Sequence, residues 1–368
     1  MRCRAAVLTA PHQDMTIEEI EIGDLDPGEV LVRIGAAGLC HTDLEVIEGQ
    51  LAYPMPIVLG HEAAGTIERV GAGVDPQRVG DQVVLSWNPH CGQCFHCVRG
   101  NTILCEPYVA LGPKAVPFSG KAKLHLDGRD LHTMFYMSAF AEYAVVTEAC
   151  AVSVPPEIPF DRACLLGCGV LTGVGAVTRI AELRADETAM VIGCGAVGLS
   201  AVQGARLAGA RQIVAVDLAD DKLATARLLG ATHVVNAHHQ DPVVAVREIT
   251  EGRGADCVVE SAGNNDAFRA SVEACRAGGA VVWLGKVGIN DEVAFRWGSL
   301  MGEKRITRCS YGGAQTASDF PWLARSYLEG DLKLDEMISQ HLRLEDINSG
   351  FDDLHNGRTI RSIVQFEH

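Results

Sequence analysis

Positive charge is what this sequence has least to spare. Its 368 residues carry 31 Lys and Arg against 47 Asp and Glu, a formal net charge of -16 at pH 7. That balance excludes nucleic acid and anionic membranes as partners, since both demand a basic face. An apolar signal core is also lacking: Met1-Arg2-Cys3-Arg4-Ala5-Ala6-Val7-Leu8 meets polar residues too soon, so it reads as a first β-strand and the expected compartment is the cytoplasm. No uninterrupted apolar run of membrane-spanning length stands out. The uncharged stretch 188–205 approaches it, but four glycines interrupt it and a strand-turn-helix unit buried in a parallel sheet accounts for the same apolarity. Internal repeats, low-complexity segments and long linkers are absent as well.

What is present suits a soluble enzyme of two ordinary domains, with 48% hydrophobic residues to build their cores. Thirteen cysteines without a secretion signal point to metal binding or packing in place of a disulfide framework. Cys3, Cys150, Cys164, Cys257 and Cys275 are given no role, and Cys194 and Cys309 read as packing residues. The first third alternates short β-rich runs, such as 29–34 and 81–85, with Gly and Pro turns, which predicts a small β-barrel-like domain. A helical stretch is expected over 169–184. From 188 to about 310 apolar strands alternate with amphipathic helices, with strands expected at 188–192, 212–216, 255–259, 280–284 and 305–309.

Three constellations carry chemistry. Gly60-His61-Glu62-Ala63-Ala64-Gly65 sets an imidazole beside a carboxylate and reads as half of a metal site. Cys40 and Cys168, each expected in a glycine-flanked loop, complete it. Two thiolates and one imidazole make an open zinc site with a fourth position free, and Glu62 is either an alternating ligand or a group that supports the ligands. A bound alcohol would lose its hydroxyl proton near neutral pH, and the zinc-bound alkoxide can then release hydride to a nicotinamide. In the second constellation, Cys91, Cys94, Cys97 and Cys105 fill a tetrahedron and leave no room for water, so that zinc would be structural. His90 and His96 are left at the surface. The third is Gly193-Cys194-Gly195-Ala196-Val197-Gly198, between a strand and a helix, where Gly193 makes the turn, Gly195 lets a pyrophosphate approach and Gly198 lets helix pack on strand. Asp217 closes the next strand, where a carboxylate would bond the ribose hydroxyls and repel a 2′-phosphate, favouring NAD.

Gly60-His61-Glu62, with Gly65, Gly71 and Val74 at their spacing, resembles the signature of the zinc-containing alcohol dehydrogenases of the medium-chain dehydrogenase/reductase superfamily. Cys40, the four-cysteine lobe, Cys168, the glycine fingerprint and Asp217 follow in family order. The resemblance implies an α/β chain: a GroES-like β-rich catalytic domain over 1–169, a Rossmann doubly wound parallel sheet over 170–310, and a return to the catalytic domain over 311–368. It implies two zinc ions per subunit, one catalytic and one structural, with NAD as cofactor. Asp43 would orient His61, and Thr42 would contact the alcohol oxygen and pass its proton on. Many relatives have a histidine where this chain has Glu45, so the relay would end at Glu45, at His41 or at a water. His41 and Arg361 would reach the pyrophosphate and Lys222 the ribose.

Family pocket positions fall on Leu51, Trp87, Met134, Phe135 and Ser310, a mostly apolar set suited to aromatic or longer aliphatic primary alcohols. Lys286 replaces a small apolar residue beside the nicotinamide, a change without a physical account. The expected activity is reversible NAD-linked oxidation of primary alcohols to aldehydes, with a homodimer formed through the edge of the cofactor-domain sheet, or a tetramer. One alternative is a thiol-dependent formaldehyde dehydrogenase, which His41-Thr42 resembles. Its glutathione-dependent members, however, place an arginine at Val109 and an acid at Leu51. The other is a non-catalytic cofactor-binding protein of this fold.

Overall fold

The computed structural model describes residues 1–367. The chain divides into two compact units: Met1–Cys168 together with the chain from Gln315 onward, and Gly169–Ala314.

The first unit opens with β1 (Arg2–Leu8), β2 (Thr16–Ile22) and the ten-residue β3 (Glu29–Gly38). Helix α1 (His41–Ile47) leads to β4 (Ile57–Val58), β5 (Ala63–Val70) and β6 (Gln82–Leu85). After α2 (Glu106–Leu111) come β7 (Leu124–Leu126), β8 (Arg129–Thr133), β9 (Tyr143–Thr147) and β10 (Ala151–Ser153). Strands β1, β2, β7, β8 and β4 close a barrel. Strand β3 pairs antiparallel with β5 and β9, and its register slips twice, between Leu31 and Val32 and between Ile34 and Ala36. Gly65 is needed at this pairing, because a Cβ there would lie 2.1 Å from the Arg33 carbonyl oxygen.

Helix α3 (Phe160–Leu165) widens into a π-type turn at Leu166–Val170 and runs through α4 (Leu171–Gly175) to Ile180. The helix therefore starts earlier than 169, and Cys168 rides on a helical turn, not in a loop. Gly167 before it serves packing: a Cβ there would meet the Leu85 carbonyl oxygen at 3.0 Å. By length and apolarity Phe160–Ile180 could cross a membrane, yet 78% of its most apolar window is buried in the protein.

The second unit holds β11 (Thr188–Ile192), α5 (Ala196–Leu207), β12 (Gln212–Asp217), α6 (Asp220–Leu228), β13 (His233–Asn236) and α7 (Pro242–Ile249). It continues with β14 (Ala255–Glu260), α8 (Asn265–Ala274), β15 (Cys275–Trp283), α9 (Trp297–Leu300) and β16 (Arg305–Arg308). All pairings are parallel, in the order β13-β12-β11-β14-β15-β16. This is a doubly wound sheet whose order reverses between β11 and β14, the place where such sheets bind dinucleotides. β11 is buried along its whole length, which explains its unbroken apolar run. Two sequence expectations change here. β13 went unread because His233 and Asn236 leave only two apolar residues between them, and β15 runs Cys275–Trp283, five residues earlier than the expected start at 280, with Gly278 and Gly279 inside the strand.

The returning chain adds α10 (Thr316–Leu328), β17 (Gln340–Leu342), α11 (Ile347–His355) and β18 (Ser362–Gln365). β18 pairs antiparallel with β3, matching Ile363 to Gly38, and parallel with β17.

Candidate active site and metal centres

Cys40 lies two residues past the end of β3 and caps α1, His61 lies between β4 and β5, and Cys168 sits on the wide turn after α3. Fold closure brings their ligand atoms within 4.8 Å of one another. The organiser is Asp43, which has no exposed surface. Its Oδ1 accepts the Gly60 N–H at 3.0 Å and lies 3.1 Å from His61 Nδ1, while Oδ2 accepts the Cys40 N–H at 3.3 Å. With Nδ1 donating to Asp43, Nε2 is left for a metal.

The hydrogen bond with Cys168 holds the Cys40 thiol well below its usual range, and the same bond raises Cys168. Burial alone would lower His61, but Asp43 and Cys40 outweigh it and raise the imidazole to about 10. Two thiols and an imidazole thus share one site. The donor set fits zinc with one position open.

Glu62 and Arg361 lie beside each other. The Glu62 carboxylate lies outside the three-ligand cluster, with Oε1 3.2 Å from Arg361 Nε. Arg361, expected at the pyrophosphate, is only 3% exposed and donates from Nη1 to the Leu39 carbonyl at 2.6 Å. A desolvated carboxylate beside it makes that burial tolerable. Thr42 is half-buried and His41 exposed on the first turn of α1. His41 and Glu45 line a hollow of about 270 Å³ with Leu44, Glu48, Gln50 and His355.

Beside the cluster lie aromatic rings. The Phe135 centroid is 5.3 Å from the His61 ring, 5.1 Å from Trp87 and 6.2 Å from Tyr53. Phe135 has a left-handed backbone, φ 44°, a strained conformation that sets its ring beside His61. Tyr53 was missed by sequence reasoning, although an aromatic two places after Leu51 was a usable signal. Leu51 is partly buried against the same core. Met134 is corrected from pocket wall to core, since none of its surface is exposed. Ser310 is exposed in the second unit, where its Oγ accepts a hydrogen bond from Arg308 Nη1 at 3.1 Å.

Cys91, Cys94, Cys97 and Cys105 form the other ligand cluster found among the described residues. Cys91 N–H donates to Cys105 Sγ at 3.3 Å, and Cys94 N–H to Cys91 Sγ at 3.4 Å. Backbone N–H groups, first that of Cys97, lower the Cys94 thiol to about 6, whereas burial pushes Cys97 up to about 12. Four sulfurs aimed at one point fit a closed zinc site. His90 Nδ1 donates to the Asn88 carbonyl and His96 packs on Phe95, so neither joins the cluster.

In the second unit Gly193 has φ 94°, and a Cβ on Gly198 would lie 1.8 Å from the Gly193 carbonyl oxygen. Gly195 caps α5 without a side-chain hydrogen bond and faces open space, leaving that helix start for an anion. Asp217 Oδ2 accepts the Cys194 N–H at 2.6 Å, and Oδ1 accepts those of Leu218 and Ala219 at 2.8 and 3.0 Å. The expected ribose ligand is thereby also a brace for the glycine turn. Lys222 is half-buried on α6, and Lys286 is exposed after β15.

A doubly wound nucleotide sheet, an open Cys-His-Cys cluster and a closed four-cysteine cluster define a zinc-dependent, NAD-linked oxidoreductase. Residues 26–156 match the alcohol dehydrogenase GroES-like domain and residues 196–328 the zinc-binding dehydrogenase domain. The chain is 37% identical over 369 residues to alcohol dehydrogenase class-3 of Myxine glutinosa, covering 99% of this chain and 98% of that protein. It is 36% identical over 370 residues to S-(hydroxymethyl)glutathione dehydrogenase of Komagataella pastoris, covering 99% and 97%. Among solved structures, benzyl alcohol dehydrogenase of Acinetobacter calcoaceticus is 33% identical with TM-score 0.94 and full coverage of both chains. The chain belongs to the zinc-containing alcohol dehydrogenases of the medium-chain dehydrogenase/reductase superfamily.

Proposed function

We propose that the substrate is an S-hydroxymethyl thiol, R–S–CH2–OH, oxidised by NAD to the S-formyl thiol with release of NADH and a proton. The observation that carries this reading is whole-length similarity, at 36–37% identity, to proteins named class-3 alcohol dehydrogenase and S-(hydroxymethyl)glutathione dehydrogenase. This reading displaces simple bulky alcohols from first place. With Leu51 and the exposed Val109 at the two positions expected to grip glutathione, the thiol is a different small thiol. Cys40, His61 and Cys168 hold the catalytic zinc, and Cys91, Cys94, Cys97 and Cys105 hold the structural one. Bound zinc supplies a Lewis acid that lowers the pKa of the substrate hydroxyl. Asp43 keeps the His61 tautomer, Thr42 receives the hydroxyl proton, and Phe135 and Trp87 exclude water. Gly193, Gly195, Gly198, Asp217 and Lys222 hold NAD. The domain limits read from the sequence, the cytoplasmic location and the homodimer belong to the same reading.

A second reading, an aromatic primary alcohol, is favoured by the Phe135, Trp87 and Tyr53 rings beside His61 and by the benzyl alcohol dehydrogenase neighbour. Initial rates of NAD reduction decide between them, comparing benzyl alcohol, octanol and ethanol with formaldehyde in the presence and absence of glutathione or mycothiol. Turnover confined to formaldehyde plus a thiol supports the first reading. Fast turnover of the bulky alcohols without thiol supports the second.

A further inference from the structure

Helix α1 carries acids that none of the chemistry above uses. Cys40 of the open cluster caps its start, and Thr42, Glu45 and Glu48 follow at spacings of three, so they share one face as the helix runs away from the cluster. Glu48 is the C-cap. At about 1.5 Å of rise per residue it stands about 12 Å along the axis from Cys40.

Beside that face lies the hollow of about 270 Å³ lined by His41, Leu44, Glu45, Glu48, Gln50 and His355, the last from the end of α11. His41 adjoins Cys40 in the chain, which ties the hollow to the metal cluster. At the other end of α1, His355 Nδ1 lies 2.6 Å from Glu48 Oε1, and Gln50 Nε2 donates to Glu48 Oε2 at 2.8 Å. The His355 side chain is 61% exposed and that of Glu48 25%, so the pair stands between the hollow and solvent. A space of this size has room for several waters at about 30 Å³ each. An imidazole takes up and gives back protons near neutral pH.

The ionisable groups on the elements around the pair are His41, Asp43 and Glu45 on α1; His12 and Asp14 in the turn after β1, where the His12 N–H donates to the Ile47 carbonyl; Asp352 and Asp353 on α11; Glu345 and Asp346 before it; and Arg358 after it. β18 carries none. Asp43 is turned to His61, and Asp353 Oδ1 accepts from Arg358 Nε at 2.7 Å. Glu48 is the carboxylate with which His355 pairs.

We propose that the proton freed in alcohol oxidation leaves through this hollow, taken up by Glu45, passed across to the Glu48–His355 pair and released from the pair to solvent. The O–H bond of the alcohol breaks with its electron pair left on oxygen, and only the proton travels, so each group returns to its starting state. Glu48 and His355 touch neither substrate nor cofactor; they are positioning residues that act through Glu45. The route rests on NAD-linked alcohol oxidation and on no particular alcohol.

The test is stopped-flow oxidation by the zinc-loaded enzyme near neutral pH, with whichever of benzyl alcohol and formaldehyde plus mycothiol the wild type turns over. NADH is followed by absorbance and the released proton by an indicator dye, in dilute and in concentrated MOPS, a bulky buffer that carries protons without ligating zinc. His355→Gln and Glu48→Gln should each slow proton release and NADH formation by about tenfold or more in dilute buffer. Concentrated buffer should restore both rates, with NAD affinity and zinc content at their wild-type values throughout. Wild-type rates in dilute buffer, or a loss that concentrated buffer does not restore, overturn the proposal. Should one variant fail to fold, the other decides by the same two readings.

Discussion

His61 Nδ1 lies 3.1 Å from Asp43 Oδ1, and neither residue is more than 1% exposed. One carboxylate thus fixes the imidazole tautomer, the Gly60 turn and the Cys40 backbone together. Asp43→Asn should lower catalytic efficiency and zinc retention by about 10–100-fold, the usual effect of losing such an orienting partner. Steady-state rates and zinc content after dialysis against a chelator measure it, and an unchanged variant would mean that Asp43 serves the fold alone.

Cys168→Ser removes one of two thiolates from the open cluster. Turnover should fall by about 100-fold or more while NAD affinity stays at the wild-type value, because the glycine turn is untouched. Metal analysis should show loss of one zinc per chain. Retained turnover would sink the assignment of the catalytic zinc.

Asp217→Gly deletes the carboxylate expected to repel a 2′-phosphate and also the acceptor for three backbone N–H groups. The preference for NAD over NADP should relax by about tenfold or more, and NAD affinity itself should drop. The two effects separate in parallel titrations with each cofactor. An unchanged ratio of the two affinities counts against Asp217 as the discriminator.

Asp161, in the first turn of α3, is buried, which alone would raise its pKa; Arg162 and then His341, whose Nε2 is 2.9 Å from Oδ2, outweigh burial and hold it below the usual carboxylate range. A depressed folded pKa adds stability above the unfolded value and loses it as pH falls through the folded one, so the acid limb should lie below about pH 4. The melting temperature should fall there, and zinc with it, since α3 leads into the turn bearing Cys168. Asp161→Asn should flatten that limb and lower the melting temperature at neutral pH, by about 2–4 °C per kcal/mol lost. A limb of unchanged slope in the variant would assign it to other groups.

Local patterns carried most of the fold. β11 ran from Thr188 to Ile192 as its apolar run announced, and the glycine turn and Asp217 fell at the expected strand ends. Residues whose roles depend on distant partners were harder to read. Gly167 and Gly169 spelled a loop around Cys168, because nothing local reveals that Gly167 must clear the Leu85 carbonyl from a helix. Arg361 lies some three hundred positions from Glu62, so only the closed sheet could reveal their pairing. Met134 and Phe135 are adjacent and apolar, and the left-handed backbone at Phe135, invisible in composition, decides which of them meets His61.

The pairing of β18 with β3 also fixes an order of events during synthesis. Cys40, His61 and Cys168 leave the ribosome early, and the whole of Gly169–Ala314 can fold as a unit before β18 emerges. Yet the Leu39 N–H waits for the Ser362 carbonyl, and Glu62 waits for Arg361. The metal-binding pocket is thus backed in part by residues that follow the nucleotide-binding unit in the chain. A chain stopped before Arg361 would keep its nucleotide fold intact and lose the wall behind its zinc ligands.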